Sequence, residues 1–379
     1  MVSDISDKLD PKQFGCLKGT STTYCLLDIV HTWLSYFDSP GRHFRLCFLD
    51  FAKAFNRIGH NVLILQLLDL GVRRSLVPWI IDFLSNRRQC VKLGESISNW
   101  LPVNAGVPQG TKLGPILFLV MINDLDVISH RTNIWKFVDD ISASEGLKNN
   151  SISNLQSNLD SVNSWALHNF MKFNAKKCKE LRICFLRETP ELPPLVIDGQ
   201  ALELVRSHKV PGLVIQSNLK WNEHITSVVS KASKRLCILR VLRRSGVPVE
   251  DLINIYFAII RSVLEYCCVV WQHAVTLLPC RRIRTSPKTS TKNHLTRPLL
   301  QRSICLRLDE RREQLSLKTM EKIVKGGPLS SHIPPTRACG HDYPLRNSNL
   351  FTTIKCRTER YRCSFPPSTI TLLNNGKLI

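Results

Sequence analysis

Paired cysteines at metal-binding spacing are missing from this chain. Its 14 cysteines include no CxxC pair, which excludes zinc ribbons and standard fingers. The nearest cluster, Cys339, His341, Cys356 and Cys363, fits no standard finger spacing, so buried reduced thiols in an intracellular protein are the better account. A signal peptide is lacking too, since the first residues (MVSDISDKLD) are polar and hold no apolar core. Nor is a membrane span expected. Pro115–Ile122 is too short to cross a bilayer, and Ile253–Trp271 is interrupted by Arg261 and Glu265. The expected location is therefore intracellular, in nucleus or cytoplasm, with no membrane partner.

Acids are the other scarce commodity. Against 30 Asp and Glu stand 52 Lys and Arg, a formal charge of +22 over 379 residues. From Cys280 to Arg307 there is no acid at all. So basic a balance points to a polyanionic partner, because neutralising phosphates and releasing counterions supplies most non-specific nucleic-acid affinity. Charge cannot separate RNA from DNA, and a merely soluble basic protein has the same balance. With 43% hydrophobic residues the chain can bury a sizeable core, which excludes a wholly disordered one.

What is present reads as alternating helices and strands. His60–Leu70 is a helix closed by Gly71, and Ser75–Asn86 a second with Pro78 in its first turn. Gln89–Leu93 and Ile97–Val103 flank a Gly94 turn as a hairpin, and Lys112–Asp124 is an apolar helix. Ile152, Leu155, Leu159, Val162 and Trp165 make Ser151–Phe170 an amphipathic helix lying across a sheet. Leu181–Phe185 is a buried strand, and Asp198-Gly199 signals a type I′ hairpin. After Trp221 come two long helical patterns, Asn222–Arg244 and Val249–Trp271. The first carries Lys231, Lys234, Arg235, Arg240, Arg243 and Arg244 beside an apolar stripe. A solvated basic face and a helix gripping a duplex backbone predict the same pattern.

Two elements carry candidate chemistry. Arg45–Asp50 (RLCFLD) is a β-prone run ending in a carboxylate, and Ile134–Asp140 (IWKFVDD) is another ending in two. If both strands are buried, Asp50 and Asp139 project toward one point, where crowded carboxylates are costly without a divalent cation. Mg²⁺ suits such a site, and two ions there would serve nucleotidyl transfer. An Asp-Asp pair alone more often marks a solvated turn. Between the two elements lies Ala105–Phe118 (AGVPQGTKLGPILF), in which Gly106 and Gly110 permit close backbone approach and Gln109 offers an amide at the apex.

FLDFAKAF, then GVPQGTKLGPILF, then FVDD, in that order, resembles the reverse transcriptases of LINE-type (non-LTR) retrotransposons, especially jockey-like elements. Gln13–Thr23 looks like that family's fingers segment, and Trp165–Cys178, Trp221–Ile225 and Ile260–Trp271 match its later regions. The resemblance implies an α+β right-hand polymerase palm, a ferredoxin-like sheet with helices on one face, with partial fingers and a helical thumb. It implies an RNA-directed DNA polymerase joining dNTPs to a DNA primer on an RNA template. Asp50, Asp139 and Asp140 would then hold two Mg²⁺ ions, with the backbone carbonyl of Phe51. Phe55 would be an aromatic gate against the ribose 2′-hydroxyl, its alternative role being a core aromatic. Gln109 and Gly110 would line the nucleotide pocket. Lys177 would protonate the pyrophosphate, with Lys176 and Lys179 close enough to blur that choice.

The chain also departs from that family. An endonuclease domain and the earlier fingers strands are expected to be missing, leaving Lys18 and Arg42 as nearby triphosphate contacts. Asn56 stands where the family has an acid after KAF. The acid-free stretch after Trp271 also departs, before the likeness resumes weakly around Leu308–Lys322. The expected organisation is fingers and palm over 1–218, a helical thumb-like region over 219–275, a basic linker over 276–307 and an irregular tail over 308–379. A catalytically inactive nucleic-acid-binding remnant is the alternative. A group II intron maturase or a telomerase-like polymerase shares the palm chemistry, but the domains each needs are not seen.

Overall fold

The apolar run before Asp50 forms an eight-residue strand, β1, Arg42–Leu49. Phe44 through Leu49 are all buried, so both faces of the strand are interior. That is what a continuous rather than alternating apolar pattern encodes. The computed structural model describes residues 1–149, 151–187, 190–275, 308–339 and 347–376. They divide into two compact units, Met1–Cys25 with Gly41–Arg206, and Leu26–Pro40 with Ser207–Ile379.

In the first unit β1 is the centre of a five-stranded sheet. The other strands are β2 (Thr132–Phe137), β3 (Asp140–Lys148), β4 (Lys179–Cys184) and β5 (Glu203–Val205). Their order is β5-β4-β1-β3-β2. β1 is antiparallel to β3 and β4, and β5 runs parallel to β4. The register pairs Leu49 with Ile141. The residue after Leu49 and the residue before Ile141, Asp50 and Asp140, thus fall at the same end of the sheet.

Four helices pack with this sheet: α1 (His60–Asp69), α2 (Val77–Leu84), α3 (Leu113–Met121) and α4 (Leu155–His168). One core gathers Cys47, Leu49, Ile141 and Ala143 with Leu63, Leu67, Leu117, Phe118, Leu159 and Val162. The opposite side of β1 (Phe44, Leu46, Phe48) is buried as well. α1 ends as expected, with Gly71 at φ +76° and Val72 N–H returning to the Leu67 carbonyl. α4 starts at Leu155 rather than Ser151. The buried Glu145 carboxylate, in the strand just before the helix, accepts the Asn154 and Leu155 N–H groups at 2.8 and 3.1 Å and caps it. Asp198 and Gly199 both have positive φ, 49° and 75°, and join Val196–Ile197 to Gln200–Ala201 in the expected type I′ turn.

The second unit contains most of the helix Thr22–Phe37, α5 (Asn222–Arg244) and a helical run from Val249. That run is less regular than its sequence pattern. It passes through a π-helical stretch at Tyr256–Arg261 and turns at Cys267, φ +47°. By length and composition alone, Val249–Ala274 could cross a membrane. Core helices of soluble proteins pass the same test, so this alone does not overturn the expectation of no span. Arg261 nevertheless pairs with Glu265 at 2.7 Å, and the Arg312 guanidinium lies over Trp271. Charges so placed are costly in lipid.

The stretch from 308 onward is not an irregular tail. Leu308–Val324 is a helix, α6, and Phe365–Asn374 another, α7. Proline does not break structure here, since Pro366 and Pro367 occupy the first turn of α7, where proline is tolerated. Arg357 and Thr358 of this region donate backbone N–H groups to Asp38, and His332 bonds Asp28 at 2.5 Å. The basic linker expected at 276–307 lies outside the described residues, as does His341 of the cysteine cluster.

Candidate active site

Asp50 is fixed by the segment that follows α4. Its carbonyl accepts the Asn174 N–H at 2.8 Å, and its own N–H points to Cys178 Sγ at 3.4 Å. Next to it Phe51 forms an isolated bridge with Phe173 and stacks on that ring at 4.4 Å. A run of β-prone residues thus stops at a carboxylate because the chain there is bonded sideways, to Lys172–Cys178, rather than continuing the sheet.

The same segment delivers a cation. Lys177 Nζ lies 3.4 Å from Asp50 Oδ1. The contact lacks hydrogen-bond geometry, so that carboxylate oxygen is buried with no hydrogen-bond partner. Lys179 is turned away, paired with Glu203 at 2.7 Å and bonded to the Lys176 carbonyl. Of the three lysines, Lys177 is the one that reaches the acid.

Asp139 and Asp140 sit at the tight connection between β2 and β3, where Phe137 pairs with Asp140. Burial raises the pKa of Asp139, and the charge of Asp50 adds to the rise while Lys177 opposes it. Asp140 is also raised, by desolvation first and then by Asp139 and Asp50. Three carboxylates therefore feel one another at one end of the sheet. Among the described residues no group of three or more His, Cys, Asp or Glu side chains is arranged to hold a metal ion. Mg²⁺ needs no such group, since it takes one or two carboxylates and completes its shell with water and phosphate oxygens. The Asp50 oxygen without a hydrogen-bond partner and the two acids raised by burial are oxygen donors of the kind a hard divalent cation takes.

The Gly-punctuated loop is tied to the chain just beyond Asp50. Gly106 N–H donates to the Ile58 carbonyl at 2.8 Å, and Val107 N–H to Phe55 at 2.9 Å. A Cβ on Gly106 would lie 2.7–2.8 Å from backbone atoms of Phe55 and Asn56, so glycine is needed there both for approach and for φ +78°. Gln109 and Gly110 are exposed, and Gln109 Nε2 is 3.4 Å from Asn56 Oδ1. Phe55 is half-buried and stacks on Phe118 at 4.7 Å, so it has a packing role whatever else it does. Arg42 is not near the site. It pairs with Lys148 at the far end of β1, about 25 Å from Asp50 along a strand of that length. Lys18 is exposed.

Sequence reasoning passed over Gln13, Gly15 and Lys136 as parts of this site. Gln13–Gly15 reads as fingers, yet Gln13 forms a parallel bridge with Lys136, three residues before Asp139. The one available signal was the company of a glutamine and a glycine in a short QFG string.

The description "Reverse transcriptase (RNA-dependent DNA polymerase)" matches residues 1–220. The chain is 26% identical over 273 residues to the probable RNA-directed DNA polymerase from transposon X-element of Drosophila melanogaster, covering 68% of this chain and 29% of that one. It is 26% identical over 234 residues to the RNA-directed DNA polymerase from mobile element jockey of the same fly, 58% of this chain and 25% of that. This chain thus spans under a third of each relative's length. Among solved structures, telomerase from Candida albicans aligns at TM-score 0.41 and 13% identity, over 70% of this chain and 46% of that one. Telomerase from Candida tropicalis aligns at 0.39 and 13%, over 63% and 41%. With the motif order, the palm-like sheet and more than half its length matched, the chain belongs to the reverse transcriptase family.

Proposed function

We propose that this chain is the polymerase part of a non-LTR retrotransposon protein and copies an RNA template into DNA. The observation that carries this is the register of β1 against β3, which brings Asp50 and the Asp139–Asp140 pair to one end of the sheet. In this reading a primer 3′-hydroxyl attacks the α-phosphate of a dNTP and pyrophosphate leaves. Asp50, Asp139, Asp140 and the Phe51 carbonyl would hold two Mg²⁺ ions, which supply the charge neutralisation the triphosphate requires. Lys177, exposed and beside Asp50, is placed to give a proton to the departing pyrophosphate. Phe55, braced by Phe118, would bar a ribose 2′-hydroxyl. Gln109 and Gly110, on the exposed loop, would contact the nucleotide. The basic face of α5 would hold the template–primer backbone, as the thumb-like region of the chain.

Primer extension on poly(rA)/oligo(dT) with Mg²⁺ tests the reading. Asp139→Asn is expected to lower extension by about three orders of magnitude while filter binding of the duplex stays within roughly twofold. Extension by this variant at the parent rate would refute the mechanism. Binding without extension by the parent chain would identify a nucleic-acid-binding remnant instead.

A further inference from the structure

The connection that carries Asp139 holds an uncomfortable backbone position. Val138 has φ +57°, and among the described residues it is the one β-branched side chain at positive φ. Such a conformation persists only where the surroundings impose it. The imposing group comes from far away in the chain. Gln13, 125 residues earlier, accepts the Val138 N–H on Oε1 at 3.1 Å, and the same oxygen accepts the Gly15 N–H at 2.8 Å.

The backbone repeats the attachment. Phe14 N–H donates to the Lys136 carbonyl and Lys136 N–H to that of Lys12, both at 2.9 Å. Residues 12–14 thus lie as a strap along the outer edge of β2. Gly15 completes the seat. A Cβ there would come within 2.4 Å of Val138 Cγ2 and 2.6 Å of Val138 N, so only glycine lets the strap lie so close. Lys136 anchors the other end. Its buried ammonium pairs with Asp10 at 2.6 Å and donates to the carbonyls of Ile122, Asn123 and Leu125. Gln13 is only 4% exposed, and its Nε2 has no hydrogen-bond partner. A side chain kept for packing alone would be apolar there, because an unpaired buried donor is a cost.

We propose that Gln13 is a positioning residue: its amide oxygen, seated by Gly15, holds Val138 in the strained turn that presents Asp139 and Asp140. This rests on the reading of those two acids as the metal-site pair. It concerns how they are held, not which they are.

Hydrogen exchange on the full, metal-free chain tests the clamp without recourse to catalysis. Gln13→Met is nearly isosteric and removes the acceptor, so exchange over Phe137–Asp140 is expected to rise about tenfold. Gln13→Glu keeps an acceptor oxygen and is expected to preserve the protection. Unchanged exchange in Gln13→Met overturns the proposal, and so does a rise spread evenly over the whole sheet. A kinetic arm separates positioning from general support. Gln13→Met is expected to lower kcat about tenfold with KM for template–primer within twofold. In a Val138→Gly background, where glycine adopts φ +57° unaided, the loss should shrink to less than about threefold. An equal loss in both backgrounds overturns the clamp, and the Val138→Gly pair also serves if Gln13→Met alone folds poorly. Mn²⁺ titration of Asp139→Asn tests the underlying reading. Parent-like Mn²⁺ affinity there would end the metal-site assignment while leaving the exchange result to decide the clamp.

Discussion

Asp139 shares the end of a sheet with two other carboxylates, and burial already works against its charge. A single nearby lysine, Lys177, offsets part of that crowding. Crowded without a full counter-charge, the acids therefore cost stability at neutral pH. Asp139→Asn removes one like charge. In EDTA at pH 7 its melting temperature is expected to exceed the parent's by roughly 1–3 °C, even though it should be inactive. A lower melting temperature, measured by scanning calorimetry, would mean that Asp139 makes structural bonds that the Asn cannot replace.

Between elements, the most demanding contact is the ion pair that joins β1 to β4. Arg45 Nε meets Glu180 Oε1 at 2.9 Å, with both side chains almost wholly buried. Arg45 also donates to Ser153 and to the Pro193 carbonyl. Burial alone would raise the Glu180 pKa, but hydrogen bonds from Arg45, Arg182 and the Leu195 N–H hold it below its ordinary value. A lowered carboxyl pKa contributes stability above the unfolded value near 4.5, and that contribution is lost as pH falls through the folded pKa. Glu180→Gln is expected to cost about 3 kcal/mol at pH 7, since it strands a buried guanidinium. The gap from the parent should narrow in chemical denaturation below the carboxylate range. A gap independent of pH would show that the charge on Glu180 is irrelevant.

The same scale explains what was legible in advance. Strands that end in acids, the Asp198-Gly199 turn and the stripe of α4 depend on neighbours in sequence, so pattern and turn chemistry revealed them. The Arg45–Glu180 pair and the Gln13 contact with Val138 join residues 135 and 125 positions apart, whose partnership depends on sheet order. No local rule announces them. Arg42 was misplaced for a related reason: nearness to Asp50 in sequence becomes distance when the intervening residues are an extended strand. Helix α6 was missed because its surroundings are rich in proline, although its own 17 residues contain none.

For the whole molecule, +22 is the dominant quantity. Exposed basic side chains on α5 and elsewhere would neutralise backbone phosphates and release counterions on binding. If about six phosphates are contacted, affinity for the template–primer should fall roughly a thousandfold between 50 and 200 mM salt. Fluorescence anisotropy across that range gives the slope directly. A flat response would remove the polyanion from the account of this composition, and with it the assignment of α5 as a grip.

The central place of β1 has a consequence for how the protein is made. Glu180, the partner of the buried Arg45 of β1, is synthesised 135 residues after it. At cellular elongation speeds that interval lasts roughly 7–27 s. Throughout it an apolar strand carrying an unmatched guanidinium, with the edge that β4 will cover still unpaired, is free to meet other nascent chains. Holdase chaperones should therefore crosslink to β1 on nascent chains stalled before Glu180 has emerged and release it on chains stalled after that.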